Sequence, residues 1–249
     1  MAGHNKWSKI KRQKAVTDAR RSKVWARITR DIMVAARESG GDPAMNPRLA
    51  LAVDKAKQEN MPKDNIERAI KRGTGEIKGA DYEEMTYEGY GPGGVAIFVE
   101  TLTDNTNRTV ADVRHVFSKR NGSLGQSGSV AYLFERKGQI DIAADGQDEL
   151  ALFELVAEAG AEDLRQEDDT FVVTTAVEDF GAVTKALDEA GISTQEATLI
   201  RVPTTTVVPA SDELRTVLAL IDALEELQDV QAVYAALDYD AVPEELLNA

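Results

Sequence analysis

The chain has 249 residues, of which 43% are hydrophobic and 29% charged, an ordinary globular composition long enough for more than one domain. It contains no cysteine and only two histidines, His4 and His115, which excludes disulfides, thiolate nucleophiles and Cys- or His-rich metal cages within one chain. The net charge of −14 argues at first against a polyanionic partner, but the charge is unevenly spread. Residues 1–72 hold 18 Lys/Arg against 8 Asp/Glu, net +10, whereas residues 138–249 hold 4 against 26, net −22. A basic head and an acidic body are different electrostatic objects, and a polyanion is drawn to the first and repelled by the second.

In chain order, the head reads as helical. Between Arg20 and Glu38 the apolar residues Val24, Trp25, Ile28, Ile32, Ala35 and Ala36 recur at three and four spacing. Arg20, Lys23, Arg27, Arg30 and Arg37 recur the same way on the other arc, so the helix is expected to carry a core face and a basic face. Ser39-Gly40-Gly41 stops it. Asn46-Pro47 supplies a cap and a first-turn proline for a second helix to about Asn60, and a third runs from Pro62 to Gly73. Thr74–Ala80, with Gly75 and Gly79, reads as a boundary.

Strands alternate with helices beyond it. Strands are expected at 85–90 and 94–103 around Gly91-Pro92-Gly93, a helix at 107–120 and a strand at 129–136. Residues 139–200 then read strand 139–143, helix 148–159, strands 161–166 and 171–176, helix 179–190 and strand 193–200. That order, βαββαβ, is the ferredoxin-like unit. Strand 204–208, helix 213–227 and strand 231–237 follow, and with the elements before residue 137 they spell βαββαβ a second time. The expectation is an α+β protein of three domains: a basic helical domain at 1–78, a discontinuous α+β domain at 79–137 and 202–249, and an inserted ferredoxin-like domain at 138–201.

Lys6, Lys9, Lys11, Arg12 and Lys14, with Trp7 among them, precede Arg20, Arg21, Lys23, Arg27 and Arg30. Such cations neutralise phosphates and release counterions, and an aromatic can stack on an unpaired base; a solvated tail with Trp7 as a core anchor is the plainer alternative. Gly91, Pro92, Gly93 and Gly94 could expose backbone N–H groups to a phosphate. Yet no Gly-Lys-Ser/Thr follows and a strand stands where a nucleotide fold needs a helix, so a tight turn is favoured. In Thr103–Thr109, capping explains Asn105 and most of its neighbours but not Arg108. Asn121–Ser129 is a poor nucleophile elbow, since Asn121 stands where the first glycine belongs, and reads as a loop. The carboxylates of the C-terminal half are expected as a solubilising surface or as a docking face for a basic protein, with high-salt adaptation a weaker third account. No apolar run nears the ~18 residues of a membrane span, and the basic N-terminus has no apolar stretch of a secretory signal, so the cytoplasm is the expected compartment.

Met1–Trp7, Ala35-Ala36-Arg37-Glu38 with Gly40-Gly41-Asp42-Pro43, Asn60–Ile70, Tyr87–Gly94 and the loop before Ser129-Val130-Ala131 together resemble the YebC/PmpR family, which includes the mitochondrial translational activator of cytochrome c oxidase subunit I. The resemblance spans essentially the whole chain and is strongest over residues 1–135. It implies a helical head and two α+β domains, one inserted in the other. It also implies a non-enzymatic role in gene expression with no cofactor and no small-molecule substrate. Members are described as DNA-binding transcriptional regulators, and others as ribosome-associated factors that bind ribosomal RNA and relieve stalling at proline runs. Family residues carry over to Lys6, Lys9, Lys11, Arg12, Lys14 and Lys23 and to the loops Gly91–Gly94 and Thr103–Thr109, with Asn107 and Arg108 in the second. Three positions depart from the family: Lys11-Arg12-Gln13-Lys14 stands for a common Lys-His-Arg-Lys, Ser22 for a common glycine, and Thr106 for a commonly basic residue. The last leaves Arg108 as the loop's phosphate candidate.

Overall fold

A computed structural model describes residues 18–78, 81–243 and 246. The protein is a mixed α+β chain with two four-stranded antiparallel sheets among the described residues. It divides into two compact units, Met1–Phe134 with Pro203–Ala249, and Glu135–Val202.

In the first unit, helices α1 (Asp18–Ser39), α2 (Pro47–Gln58) and α3 (Lys63–Gly73) form where the apolar spacing places them. Ile28, Ile32, Leu49, Met61 and Ile66 share one buried cluster. A side chain as fully buried as Ile32 contributes roughly 1.5–3 kcal/mol. Asn46 ties the bundle together. Its Oδ1 accepts from the Leu49 N–H at 3.0 Å, capping α2, while its Nδ2 donates to the Ala35 and Gly40 carbonyls at 2.8 Å each. Gly73 ends α3 against α1 so closely that a Cβ would lie 2.4 Å from the Met33 carbonyl oxygen, which leaves glycine as the residue that fits.

The sheet of this unit has the order β3-β1-β2-β8, with β1 at Glu83–Tyr90, β2 at Ala96–Thr103, β3 at Ser123–Leu124 and β8 at Val230–Ala235. Strands β1 and β2 form a hairpin from Glu83↔Thr103 to Tyr90↔Ala96. Helices α4 (Thr106–Lys119) and α7 (Ser211–Glu225) share the core of this sheet through Val113, Phe117, Val217, Leu220 and Ile221.

Two expected strands are absent from this sheet. Over Ser129–Arg136 the chain is irregular, then a 3₁₀ turn at Ala131–Leu133, and strand begins only at Phe134. The reason is a competing acceptor: the backbone N–H groups of Gly128, Val130 and Ala131 donate to the Glu88 carboxylate at 2.7, 2.7 and 2.8 Å, so they are not offered to a ladder. Residues 204–208 lie between Pro203 and Pro209 and make one isolated parallel bridge, Val207↔Leu237. The first sheet is therefore not a second βαββαβ unit.

In the second unit every expected element is present: β4 (Phe134–Ala143), α5 (Glu149–Glu158), β5 (Ala161–Glu167), β6 (Thr170–Thr175), α6 (Phe180–Glu189) and β7 (Thr194–Pro203). The strand order is β5-β6-β4-β7, over a core that includes Ile140, Ile142, Val173, Val183 and Leu187.

Replacing Asn46 by Ala removes a cap and the amide donor to two carbonyls, and is expected to lower unfolding free energy by about 1–3 kcal/mol in urea titrations. Asn46→Ser keeps a capping oxygen and loses the amide donors, and its intermediate effect separates the two roles.

Candidate nucleic-acid interface

The basic run Lys6, Trp7, Lys9, Lys11, Arg12 and Lys14 lies outside the described residues, as do the side chains of Arg20 and Arg21 on α1. The other three head candidates are engaged within the first unit. Lys23 pairs with Glu226, the Arg27 guanidinium donates to the Glu225 carbonyl, and Arg30 donates to the Gln228 carbonyl. Arg30 is 4% exposed, so it does not belong to a solvated basic face. Burial lowers the Arg27 pKa, with Glu225 opposing and Arg30 adding to the fall. The arc of α1 that the spacing marks as basic is thus, at Arg27 and Arg30, a docking face on the end of α7.

Asp31 belongs to the same contact. Its half-buried carboxylate accepts from Gln231 Nε2 at 3.2 Å. Burial lifts its pKa from 3.8 to about 6, against the pull of Lys55, Arg48 and Arg30.

The two loop candidates have structural partners. Gly91 donates its N–H to the Val95 carbonyl at 2.8 Å, and Gly93 and Gly94 adopt φ of 67° and 74°, closing the β1–β2 hairpin. At Gly93 a Cβ would come within 2.7 Å of Pro209 Cβ, so this turn sits on the segment leading into α7. Pro92 opens its short 3₁₀ step. Asn105 caps α4 through the Arg108 N–H at 3.1 Å, and Asn107 is exposed on its first turn. Arg108 bridges Asp104 at 2.9 Å and Asp229 at 2.7 Å. Asp229 is 5% exposed and also accepts from Thr109 at 2.8 Å and Thr103 at 3.2 Å. Burial alone would raise the Asp229 pKa, but the hydrogen bonds from Arg108, Thr109 and Thr103 hold it below the usual carboxylate value. Arg108, which capping could not explain, is the counter-ion of a buried aspartate.

Other cations remain exposed. Arg68, Lys71 and Arg72 lie at helical spacing on α3, and Arg114, His115 and Lys119 on α4. The same periodicity that picked out α1 would have found them. No group of three or more metal-ligating side chains comes together among the described residues, and no described helix is long and apolar enough to cross a membrane.

Residues 5–76 match the family domain described as the TACO1/YebC protein N-terminal domain, and residues 82–237 match the TACO1/YebC second and third domain. A protein of Chlorobium phaeobacteroides named "Probable transcriptional regulatory protein" is 52% identical over 100% of this chain and 99% of its own length. A protein of the same name from Salinibacter ruber is 54% identical over 98% and 95%. The crystal structure of a conserved hypothetical protein from Aquifex aeolicus is similar with a TM-score of 0.83 and 45% identity, covering 91% of this chain and 93% of that one.

Asp31→Asn tests the α1 contact. A carboxyl that binds its proton more tightly folded than unfolded loses stability as pH rises from about 4 to about 6, and the penalty is complete above that. The substitution is expected to stabilise the protein by about 1–3 kcal/mol at pH 7.5, a gain that vanishes below about pH 4 in thermal unfolding.

Proposed function

Since the chain belongs to the TACO1/YebC family, we propose that it is a non-enzymatic regulator of gene expression that works by binding nucleic acid through its basic head. The observation that carries this reading is the separation of charge: net +10 over residues 1–72 in a chain whose last 112 residues are net −22. Phosphate contacts from Lys6, Lys9, Lys11, Arg12 and Lys14 would position the protein without specifying sequence, and Trp7 would add a stacking surface. Arg68, Lys71 and Arg72 on α3 extend the basic surface of the head. Arg27 and Arg30 drop out of the contact set, since their guanidinium groups donate to the Glu225 and Gln228 carbonyls, whereas Lys23 keeps half its side chain in solvent. In this reading the helical domain, a discontinuous α+β domain and an inserted α+β domain act together in the cytoplasm. The acidic domains face solvent or a basic protein. The two family matches, over residues 5–76 and 82–237, support the first boundary.

The relatives' name, "Probable transcriptional regulatory protein", supports DNA as the target. One observation favours a second reading, ribosome association through ribosomal RNA with relief of stalling at proline runs. A helix that reads a major groove must offer one face to the bases. The basic arc of α1 is already occupied at Arg27 and Arg30, which suits backbone binding to structured RNA better than groove reading.

The test is a salt titration of affinity with the full chain. Duplex DNA contacts give a slope of about −0.9 in log affinity per log salt for each phosphate neutralised, and single strands about −0.7. Replacing Lys9, Lys11 and Lys14 together by Gln is expected to flatten the slope by roughly 2–3 units. An unchanged slope removes the head from the interface. Sedimentation of lysate after DNase treatment separates the targets, since only ribosome binding survives it.

A further inference from the structure

The loop between α4 and β4 is held by an unusual anchor. Glu88 lies inside β1 at 3% exposure, and its carboxylate takes the three backbone N–H groups of Gly128, Val130 and Ala131. Its carbonyl takes the Gly125 N–H at 2.7 Å. A buried carboxylate is costly unless its lone pairs are filled, and here the loop fills them. Tyr90, two residues on and therefore on the same face of β1, adds a hydrogen bond from its hydroxyl to the Ser129 carbonyl at 3.0 Å. Tyr132 follows directly on Ala131, the last of the anchored N–H groups. Tyr132 nevertheless leaves 71% of its surface in solvent. It is an exposed aromatic ring on a rigid mount.

The stretch of chain that carries it is chemically one-sided. From Val113 to Phe134 the chain has no Asp or Glu, its longest acid-free stretch, while it carries Arg114, His115, Lys119 and Arg120. The α4 end reaches the Tyr132 neighbourhood through short links. The Gly122 N–H donates to the Phe117 carbonyl at 2.9 Å, and Ser123 pairs with Tyr90 in the sheet. Ser123, Gln126 and Ser127 are exposed on the same loop, and the buried Ser129 hydroxyl has no hydrogen-bond partner. A lone exposed tyrosine is ordinary on a protein surface. A tyrosine fixed through a buried carboxylate, in the acid-free basic stretch of a chain of net charge −14, is not.

We propose that this loop docks an unpaired nucleotide of RNA, with the base stacked on Tyr132 and the flanking phosphates met by Lys119 and Arg120. The proposal rests on the nucleic-acid reading above and adds a second contact away from the head. Bases within a duplex are stacked on each other and closed to a surface ring, whereas loops and bulges of RNA present unstacked bases. Ser123, Gln126 and Ser127 supply the polar groups that meet a base edge or a ribose hydroxyl.

The experiment measures binding of the full chain to a fluorescent RNA hairpin with an unpaired loop, beside its blunt duplex stem and the matching single-stranded DNA. Tyr132→Ala is expected to weaken hairpin binding about five- to fifty-fold and to leave duplex binding unchanged. Tyr132→Phe, which keeps the ring, is expected to bind within about two-fold of the parent. Circular dichroism checks that both variants fold. Hairpin binding by the parent that Tyr132→Ala leaves intact overturns the inference and spares the head reading. Absence of binding to all three nucleic acids by the parent overturns both. Equal Tyr132-dependent binding of the single-stranded DNA overturns the assignment to RNA. Tyr132-dependent capture of a poly-glutamate peptide, with RNA binding indifferent to Tyr132, overturns it in favour of an acidic protein.

Discussion

An α-helix leaves its last carbonyls without intrahelical partners and its C-terminus partly negative. Helix α7 aggravates this: it ends at Glu225, Glu226 follows, and its last turn holds no basic side chain. The compensation comes from α1, where Arg27 and Arg30 donate to the Glu225 and Gln228 carbonyls. The Lys23–Glu226 pair, with both side chains at least half exposed, adds little in water. The hydrogen bonds from Arg27 and the nearly fully buried Arg30 carry the contact. The helical bundle is joined to the sheet of the first unit through this contact and the Gln231–Asp31 hydrogen bond beside it. Part of the opposition between basic head and acidic body is therefore satisfied inside the molecule.

What the sequence reveals and what it hides divides by distance along the chain. The faces of α1, the Asn46-Pro47 start of α2 and the six elements between residues 139 and 200 follow from spacing and caps, which are local. Arg30 looks like a surface cation because its partner is 198 residues away. Arg108 looks available for phosphate because Asp229 is 121 residues away. The segment after Ser129 has strand-like composition, and only the fold brings Glu88 to its N–H groups. Nothing near Tyr132 in sequence marks it, although the absence of acids from Val113 to Phe134 is legible once the charges are mapped.

The glycine-rich motif at Tyr87–Gly94 has two jobs that composition alone does not separate. Gly91–Gly94 closes a hairpin. Glu88, Gly89 and Tyr90 hold the loop after α4. At Gly89 a Cβ would fall 2.5 Å from the Ser123 carbonyl oxygen, so glycine lets β3 approach β1 there. The alternation along β1 then aims Glu88 and Tyr90 to one side, where both meet the Gly125–Ala131 segment. A phosphate cradle is not needed to account for these residues.

The distance that hides Arg27 and Arg30 from sequence reading also sets the order of assembly. During synthesis α1 is made first, and the carbonyls that receive its arginines are made 198 residues later. At translation rates of roughly 5–20 residues per second, that interval is on the order of 10–40 s. For that time a nascent chain carries Arg27 and Arg30 without their eventual acceptors. Completion of the chain through Gln228 gives both arginines their acceptors, so this face of α1 exists long before the contact that occupies it.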